Sequence, residues 1–177
     1  MNVLALVGSL RAVSINAAFC RSASRLAPPG LAVSIYPRLG ELPLFNPDLE
    51  SDLPAPVRDL WREVEGADAL LIASPEYAHG VSGVMKNALD WLVGFERFVY
   101  MPVAVVNTSP RSHHAYDALL EILRTMSAEI IDEASVSIQL LGACTTEEQM
   151  LTTPAVASKI RDAMVALEKH LRDRGER

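Results

Sequence analysis

The stretch VLALVGSLRAVSIN, residues 3–16, joins a short apolar run to a polar loop that leads into a predicted helix. A continuous apolar run of this length is typical of a strand covered on both faces, and the apolar spacing that follows predicts a helix over 15–26. Further strands are predicted at 31–36, 69–74, 102–106 and within 129–138, and further helices at 56–65, 82–93, 114–126 and 154–172. This alternation predicts one α/β domain over residues 1–177, with a five-stranded parallel sheet and helices on both faces.

The loop GSLRAVSIN, residues 8–16, is rich in hydrogen-bond donors where the first strand ends. We expect Gly8 to allow a sharp turn and the following helix to point its free N–H groups back at the loop. Ser9, Ser14 and Asn16 add polar side chains, and Arg11 adds a fixed positive charge. These features favour a bound phosphate, although Ser14 would also suit an ordinary helix cap. The loop matches neither the nucleoside-triphosphate motif nor G-x-G-x-x-G.

Composition excludes several functional classes. The chain has 177 residues, a formal net charge of −6 and no run of Lys or Arg, so nucleic acid is not an expected partner. The apolar run at 3–7 has no basic region before it and is too short for a signal peptide or a membrane span, so we expect a cytoplasmic protein without membrane contact. Cys20 and Cys144 show no metal-binding spacing, and no metal site is predicted.

A second loop, SPEYAHGVSGVMKNALDWL at 74–92, follows the third predicted strand. Together the two loops resemble those of the NADPH-dependent FMN reductases, whose first loop has the form G-S-x-R-x-x-S-x-N. The second loop is similar to that family's S-P-E-Y and K-N-A-L-D-W motifs, with Ser82 in place of a proline and Met85 in place of a leucine. The segment LPLFNPDLE, residues 42–50, also resembles the family.

The resemblance implies a flavodoxin-like three-layer sandwich with strand order 2-1-3-4-5. It implies hydride transfer from NADPH (or NADH) through FMN to a small acceptor such as a quinone, an azo compound, a metal oxyanion or free flavin, with no catalytic side chain required. It also implies a homodimer or homotetramer with an interface around the helix at 87–91. The FMN-binding residues carried over from the two motifs are Ser9, Arg11, Ser14, Ile15 and Asn16 for the phosphate, and Pro75, Glu76, Tyr77 and Ala78, through their backbone, for the ring.

The loop NTSPRSHH, residues 107–114, departs from the family pattern, in which many members carry a glycine pair. Thr108, Ser109 and Arg111 are assigned here as flavin-side residues. The adjacent histidines His113 and His114 are interpreted as a solvent-facing helix start, because neighbouring side chains seldom bind one metal together.

Two other functional classes share features with this sequence. A serine hydrolase would need G-x-S-x-G, and GVSGV at 80–84 lacks the final glycine. A flavodoxin-like electron carrier, or an FMN-binding regulatory protein, shares the fold and cofactor and remains the alternative. Arg11 and the K-N-A-L-D-W stretch favour the reductase.

Overall fold

A computed structural model describes residues 1–109, 113–140, 142 and 144–176. The strands are β1 (Asn2–Val7), β2 (Ala32–Ile35), β3 (Ala69–Ala73), β4 (Glu76–Tyr77), β5 (Gly80–Val81), β6 (Pro102–Asn107), β7 (Glu129–Ile130) and β8 (Val136–Ser137). The helices are α1 (Ile15–Leu26), α2 (Ala55–Glu65), α3 (Gly83–Val93), α4 (His114–Thr125), α5 (Glu147–Thr152) and α6 (Pro154–Gly175).

The main sheet is parallel and has the order β2-β1-β3-β6-β7, with β8 also paired to β6. This order confirms the predicted flavodoxin-like fold. Helix α1 has the predicted bounds, while the small hairpin of β4 and β5 and the short helix α5 were not predicted. Within the described part of the chain, no helix is both long enough and apolar enough to cross a membrane.

The fifth strand position differs from the expectation of one strand, because two short pieces occupy it. Strand β7 pairs with the start of β6, and β8 pairs with its end. A 3-10 turn at Asp132–Ala134 separates them. The Ser135 hydroxyl accepts a hydrogen bond from the Val105 N–H at 3.0 Å, so a side chain satisfies a backbone donor of β6 where the edge strand is interrupted.

Side chains on the two faces of the sheet enter two separate apolar layers, since neighbouring strand residues point in opposite directions. Val3, Ala5 and Val7 of β1 belong to the layer that includes buried residues of α1 and α6. Leu4 and Leu6 belong to the layer under α2, α3 and α4. The carboxyl ends of the central strands are therefore held between two helical layers.

The proline-rich segment between β2 and α2 contains short 3-10 turns at Leu39–Glu41 and Pro47–Asp52 and is fastened to α3. Asn87 accepts from the Phe45 N–H at 2.8 Å and donates to the Pro43 carbonyl at 3.0 Å. The Trp91 indole N–H donates to the same carbonyl at 2.8 Å, and its side chain is buried. Asn87 and Trp91 therefore fasten the proline-rich segment to α3 by hydrogen bonds.

We expect Asn87→Ala to lower the free energy of unfolding by about 1–3 kcal/mol, because the half-buried Phe45 N–H loses its acceptor. Urea denaturation measures this change. Asp90→Ala on the same helix is the matched control: it removes the exposed pair with Lys86, which is worth about 0.3–0.5 kcal/mol. Equal losses in the two variants would show that Asn87 does not anchor the loop.

Candidate functional site

A cavity of about 420 Å³ lies where β1, β3 and β6 end, between the three loops that the sequence indicated. In a parallel α/β sheet this edge is where ligands bind, and the volume is within the range of small-molecule sites. The residues that line it are Ser9, Arg11, Val13, Ser14, Ile15, Asn16, Ser74, Pro75, Glu76, Tyr77, Val106, Asn107, Thr108, Ser109, Ala115, Tyr116, Leu119 and Thr145.

Most of the predicted site residues line this one cavity. They are Ser9, Arg11, Ser14, Ile15, Asn16, Pro75, Glu76, Tyr77, Thr108 and Ser109. Ala78 lies in the turn of the adjacent hairpin, outside the lining set, and Arg111 lies outside the described residues.

Sequence reasoning missed the wall that α4 contributes. Tyr116 and Leu119 of that helix border the cavity. Apolar spacing along a helix does not distinguish a side chain that packs on the core from one that borders a cleft. Thr145 follows the interrupted edge strand, and no sequence signal pointed to it.

The first loop presents a positive end of a helix to the cavity. Ser14 is the N-cap of α1, and its hydroxyl accepts from the Ala17 N–H at 3.2 Å. Arg11 is exposed at the same cavity and makes no ion pair with any part of the chain that the structure describes. A free guanidinium beside a helix N-terminus favours an anionic ligand.

Asn16 connects the first and third loops. It is buried, and its Oδ1 accepts a hydrogen bond from the Thr108 hydroxyl at 2.9 Å. The two loops thus approach the cavity in a defined relative position.

Gly8 brings the first and second loops into direct contact. It donates its N–H to the Ala73 carbonyl at 2.9 Å and does not adopt a positive φ, so glycine is required here by the lack of space for a side chain and not by a positive φ. A Cβ at this position would lie 2.7 Å from Ser82 Oγ and 2.9 Å from Ser74 Oγ. Ser82, which stands where the resembling family has proline, caps α3 by accepting from the Met85 N–H at 3.3 Å.

The hairpin of β4 and β5 closes through a two-residue turn at Ala78 and His79, with φ values of 49° and 58°. Neither residue is glycine, so this conformation costs roughly 1–2 kcal/mol per residue. Glu76, at the base of the hairpin, accepts from the Ala115 N–H at 2.9 Å and so caps the first turn of α4.

Three histidine side chains outside the cavity lining contact one another. The rings of His79 and His114 stack with their centroids 4.4 Å apart, and His113 lies 4.3 Å from His114 on a tilted plane. His113 also pairs with Asp117 at 3.1 Å. Across the described ranges, no group of three or more His, Cys, Asp or Glu side chains is arranged to hold a metal ion.

Tyr116 supplies a neutral phenol to the cavity wall. Burial raises the pKa of this phenol, and the nearby carboxylates of Asp132 and Asp117 raise it further. The hydroxyl therefore stays protonated at neutral pH and is available as a hydrogen-bond donor.

Known proteins with similar chains are flavin and quinone oxidoreductases. The flavoenzyme NAD(P)H:(acceptor) oxidoreductase FerB of Paracoccus denitrificans is 28% identical, with a TM-score of 0.86 over 97% of each chain. A quinone reductase of Pseudomonas putida is 40% identical over 113 residues, which are 62% of this chain and 60% of that protein. A quinone reductase of Escherichia coli is 36% identical over 94 residues, 52% of this chain and 50% of its own length. The chain thus spans only about half the length of the curated relatives it matches.

The family assignment rests on a longer match than these pairwise alignments. Residues 1–166 match the NADPH-dependent FMN reductase family, and this range contains all three loops around the cavity. Membership implies FMN as cofactor and NAD(P)H as electron donor. The sheet order, the loop motifs and this match lead to one conclusion: the chain belongs to the NADPH-dependent FMN reductase family.

Proposed function

We propose that this protein is an NAD(P)H-dependent oxidoreductase that binds FMN in the cavity and reduces a small-molecule acceptor. The observation that carries the proposal is Arg11, which lies at the cavity beside the N-terminus of α1 and makes no ion pair within the described part of the chain. FMN has the matching shape, with an anionic phosphate at one end and a flat aromatic ring at the other. When bound, it supplies a ring that takes up hydride from NAD(P)H and passes reducing equivalents to the acceptor.

The first loop is the proposed phosphate site. Arg11 offers a charge-assisted contact, and Ser9 and Ser14 offer hydroxyl donors. Ile15 and Asn16 contribute the free N–H groups of the first helical turn, which need partners outside the helix. The Asn16 side chain is already bonded to Thr108, so its role is to position the loop.

The ring is proposed to lie along the backbone of 75–78, between the hairpin and the third loop. Pro75 stiffens that segment, and the rigid link between Glu76 and α4 keeps it in place. Thr108 and Ser109 are proposed on the other side, and Arg111, which is outside the described residues, stays a prediction from the sequence. Tyr116, which sequence reasoning missed, adds a neutral donor from α4.

Quinones are the proposed acceptors, because the similar proteins of P. putida and E. coli are named quinone reductases. A quinone is flat and apolar with two hydrogen-bond acceptors, and the half-exposed Tyr77 at the cavity mouth offers a ring for it to stack on.

Cys20 and Cys144 are free and buried, in keeping with the proposed location in the reducing cytoplasm.

The first test is to saturate the protein with FMN, remove the excess, and follow the flavin absorbance as NADPH is added without oxygen. We expect retained yellow colour that NADPH bleaches rapidly and that a benzoquinone restores. Colour that NADPH bleaches slowly or not at all would indicate the electron carrier or regulatory protein instead. Loss of colour on removing the excess would contradict tight FMN binding.

A homo-oligomer is also proposed, because large apolar side chains are exposed in the first loop and in the proline-rich segment. Leu10 and Val13 of the first loop are 64% and 73% exposed, and Leu44 of the proline-rich segment is 83% exposed. Exposed apolar side chains that together form a patch are typical of interfaces.

We expect Leu44→Asp to shift the protein toward monomer in sedimentation velocity, since a charge in an apolar interface is left without a partner. Val165→Asp is the matched control, because Val165 is also exposed but lies on α6. An unchanged sedimentation coefficient for Leu44→Asp would place any interface elsewhere.

A further inference from the structure

The hairpin beside the proposed ring site has an unfavourable turn for its sequence. Two-residue turns with positive φ at both positions favour Asn-Gly, whereas this chain has Ala78 and His79 there. Such conformations persist where surrounding contacts hold them, and they concentrate at functional sites. The contacts that hold this turn are therefore part of how the site is built.

Two contacts tie the hairpin to α4, one at its base and one at its tip. At the base, the Glu76 carboxylate accepts from the Ala115 N–H at 2.9 Å. At the tip, the His79 ring stacks on His114 with centroids 4.4 Å apart and planes 23° apart. The second ring is itself backed by His113, whose Nδ1 lies 3.1 Å from Asp117 Oδ2.

We propose that His79 is a positioning residue: its stacking on His114 holds the hairpin in the strained turn that aligns residues 75–78 along the bound cofactor. This inference rests on the proposed function for its effect on FMN, and it concerns the geometry of the hairpin in the protein alone. His79 is exposed and lies outside the cavity lining, so it acts through the backbone and not by touching the ligand.

The ring stack needs a side chain at position 79, whereas the backbone strain depends on how readily that residue adopts positive φ. Substitutions at position 79 therefore separate the two effects. His79→Ala removes the ring and leaves a residue that disfavours positive φ. His79→Gly removes the same ring and leaves a residue that adopts positive φ without steric cost. We therefore expect glycine at position 79 to restore the FMN affinity that alanine loses.

FMN affinity is measured by titration of flavin fluorescence. We expect His79→Ala and His114→Ala each to weaken binding by about tenfold, which is about 1.4 kcal/mol at 25 °C, and His79→Gly to stay within about threefold of the parent. In the His79→Gly background, His114→Ala should have no further effect, because the two residues act as one unit. His170→Ala, at an imidazole that pairs with Glu129 away from the cavity, is the control.

Amide hydrogen exchange of residues 76–81 in the protein without flavin provides a second readout that does not depend on cofactor binding. We expect faster exchange in His79→Ala and His114→Ala than in the parent and in His170→Ala. If His79→Gly binds FMN as weakly as His79→Ala, or if the losses of His79→Ala and His114→Ala simply add, the proposal is wrong. If the parent protein fails to bind FMN while exchange follows the expected order, the proposed function fails and the positioning role stands.

Discussion

Arg11→Ala is expected to weaken FMN binding roughly 10- to 100-fold, because a hydrogen bond to a charged group contributes about 1.5–3 kcal/mol. Arg11 lines the cavity next to the capped N-terminus of α1 and has no acidic partner in the described structure, so its loss removes a ligand contact and little else. Titration of flavin fluorescence measures the affinity.

The same substitution should leave folding nearly unchanged. We expect the free energy of unfolding of Arg11→Ala to stay within about 0.5 kcal/mol of the parent, as is usual for surface substitutions. Arg58→Ala is the matched control, since Arg58 is an exposed arginine on α2, away from the cavity. The affinity of Arg11→Ala should also depend less on salt, because one ionic contact with the phosphate is gone. An unchanged affinity would show that the phosphate lies elsewhere.

Gly8→Val is the substitution from which we expect the largest loss of both stability and binding. Even a single Cβ at this position would lie 2.7 Å from Ser82 Oγ, 2.9 Å from Ser74 Oγ and 3.0 Å from Met85 Cβ. The serine hydroxyls can rotate, but Met85 Cβ is fixed to the backbone of α3, so the loops must separate. Overpacking of this kind costs typically 1–3 kcal/mol, and valine adds two methyl groups beyond that Cβ.

The FMN affinity of Gly8→Val should fall together with its stability, because Gly8 lies where the first loop meets the loop after β3. We expect Gly8→Ala to show a smaller loss in the same direction. Gly83→Ala is the stability control, because a Cβ there meets nothing within 4 Å. Chemical denaturation measures the three stabilities. A Gly8→Val protein as stable as the parent would mean that the loops do not need this close approach.

The resemblance in the two loops predicted most of the residues that line the cavity. The motif at 8–16 identified residues that now line one cavity with Thr108 and Ser109, which come from a loop about a hundred residues later. Sequence spacing could not show that Asn16 bonds to Thr108, because that contact depends on how the sheet places β1 and β6 on either side of β3.

For some residues, the structure shows a role that differs from the one predicted from the sequence. The resemblance assigned a role only to the backbone of Glu76, whereas the structure shows that its carboxylate accepts a hydrogen bond from the Ala115 N–H. Gly8 was expected to permit a turn, whereas its neighbours Ser74 and Ser82 leave no room for a side chain. In both cases the partner is distant in the sequence and no local pattern names it.

By itself, the sequence determined the order of the main strands and helices and the parallel sheet, and it predicted an anion-binding first loop, because these follow from apolar periodicity and from which residues end each strand. Only the tertiary structure decided how the fifth strand position is divided between β7 and β8, which face of α4 borders the cavity, and how His79 meets His114. Local patterns encode what a segment prefers on its own. Contacts between distant segments depend on how the whole chain packs, and the sequence of one segment does not determine that packing.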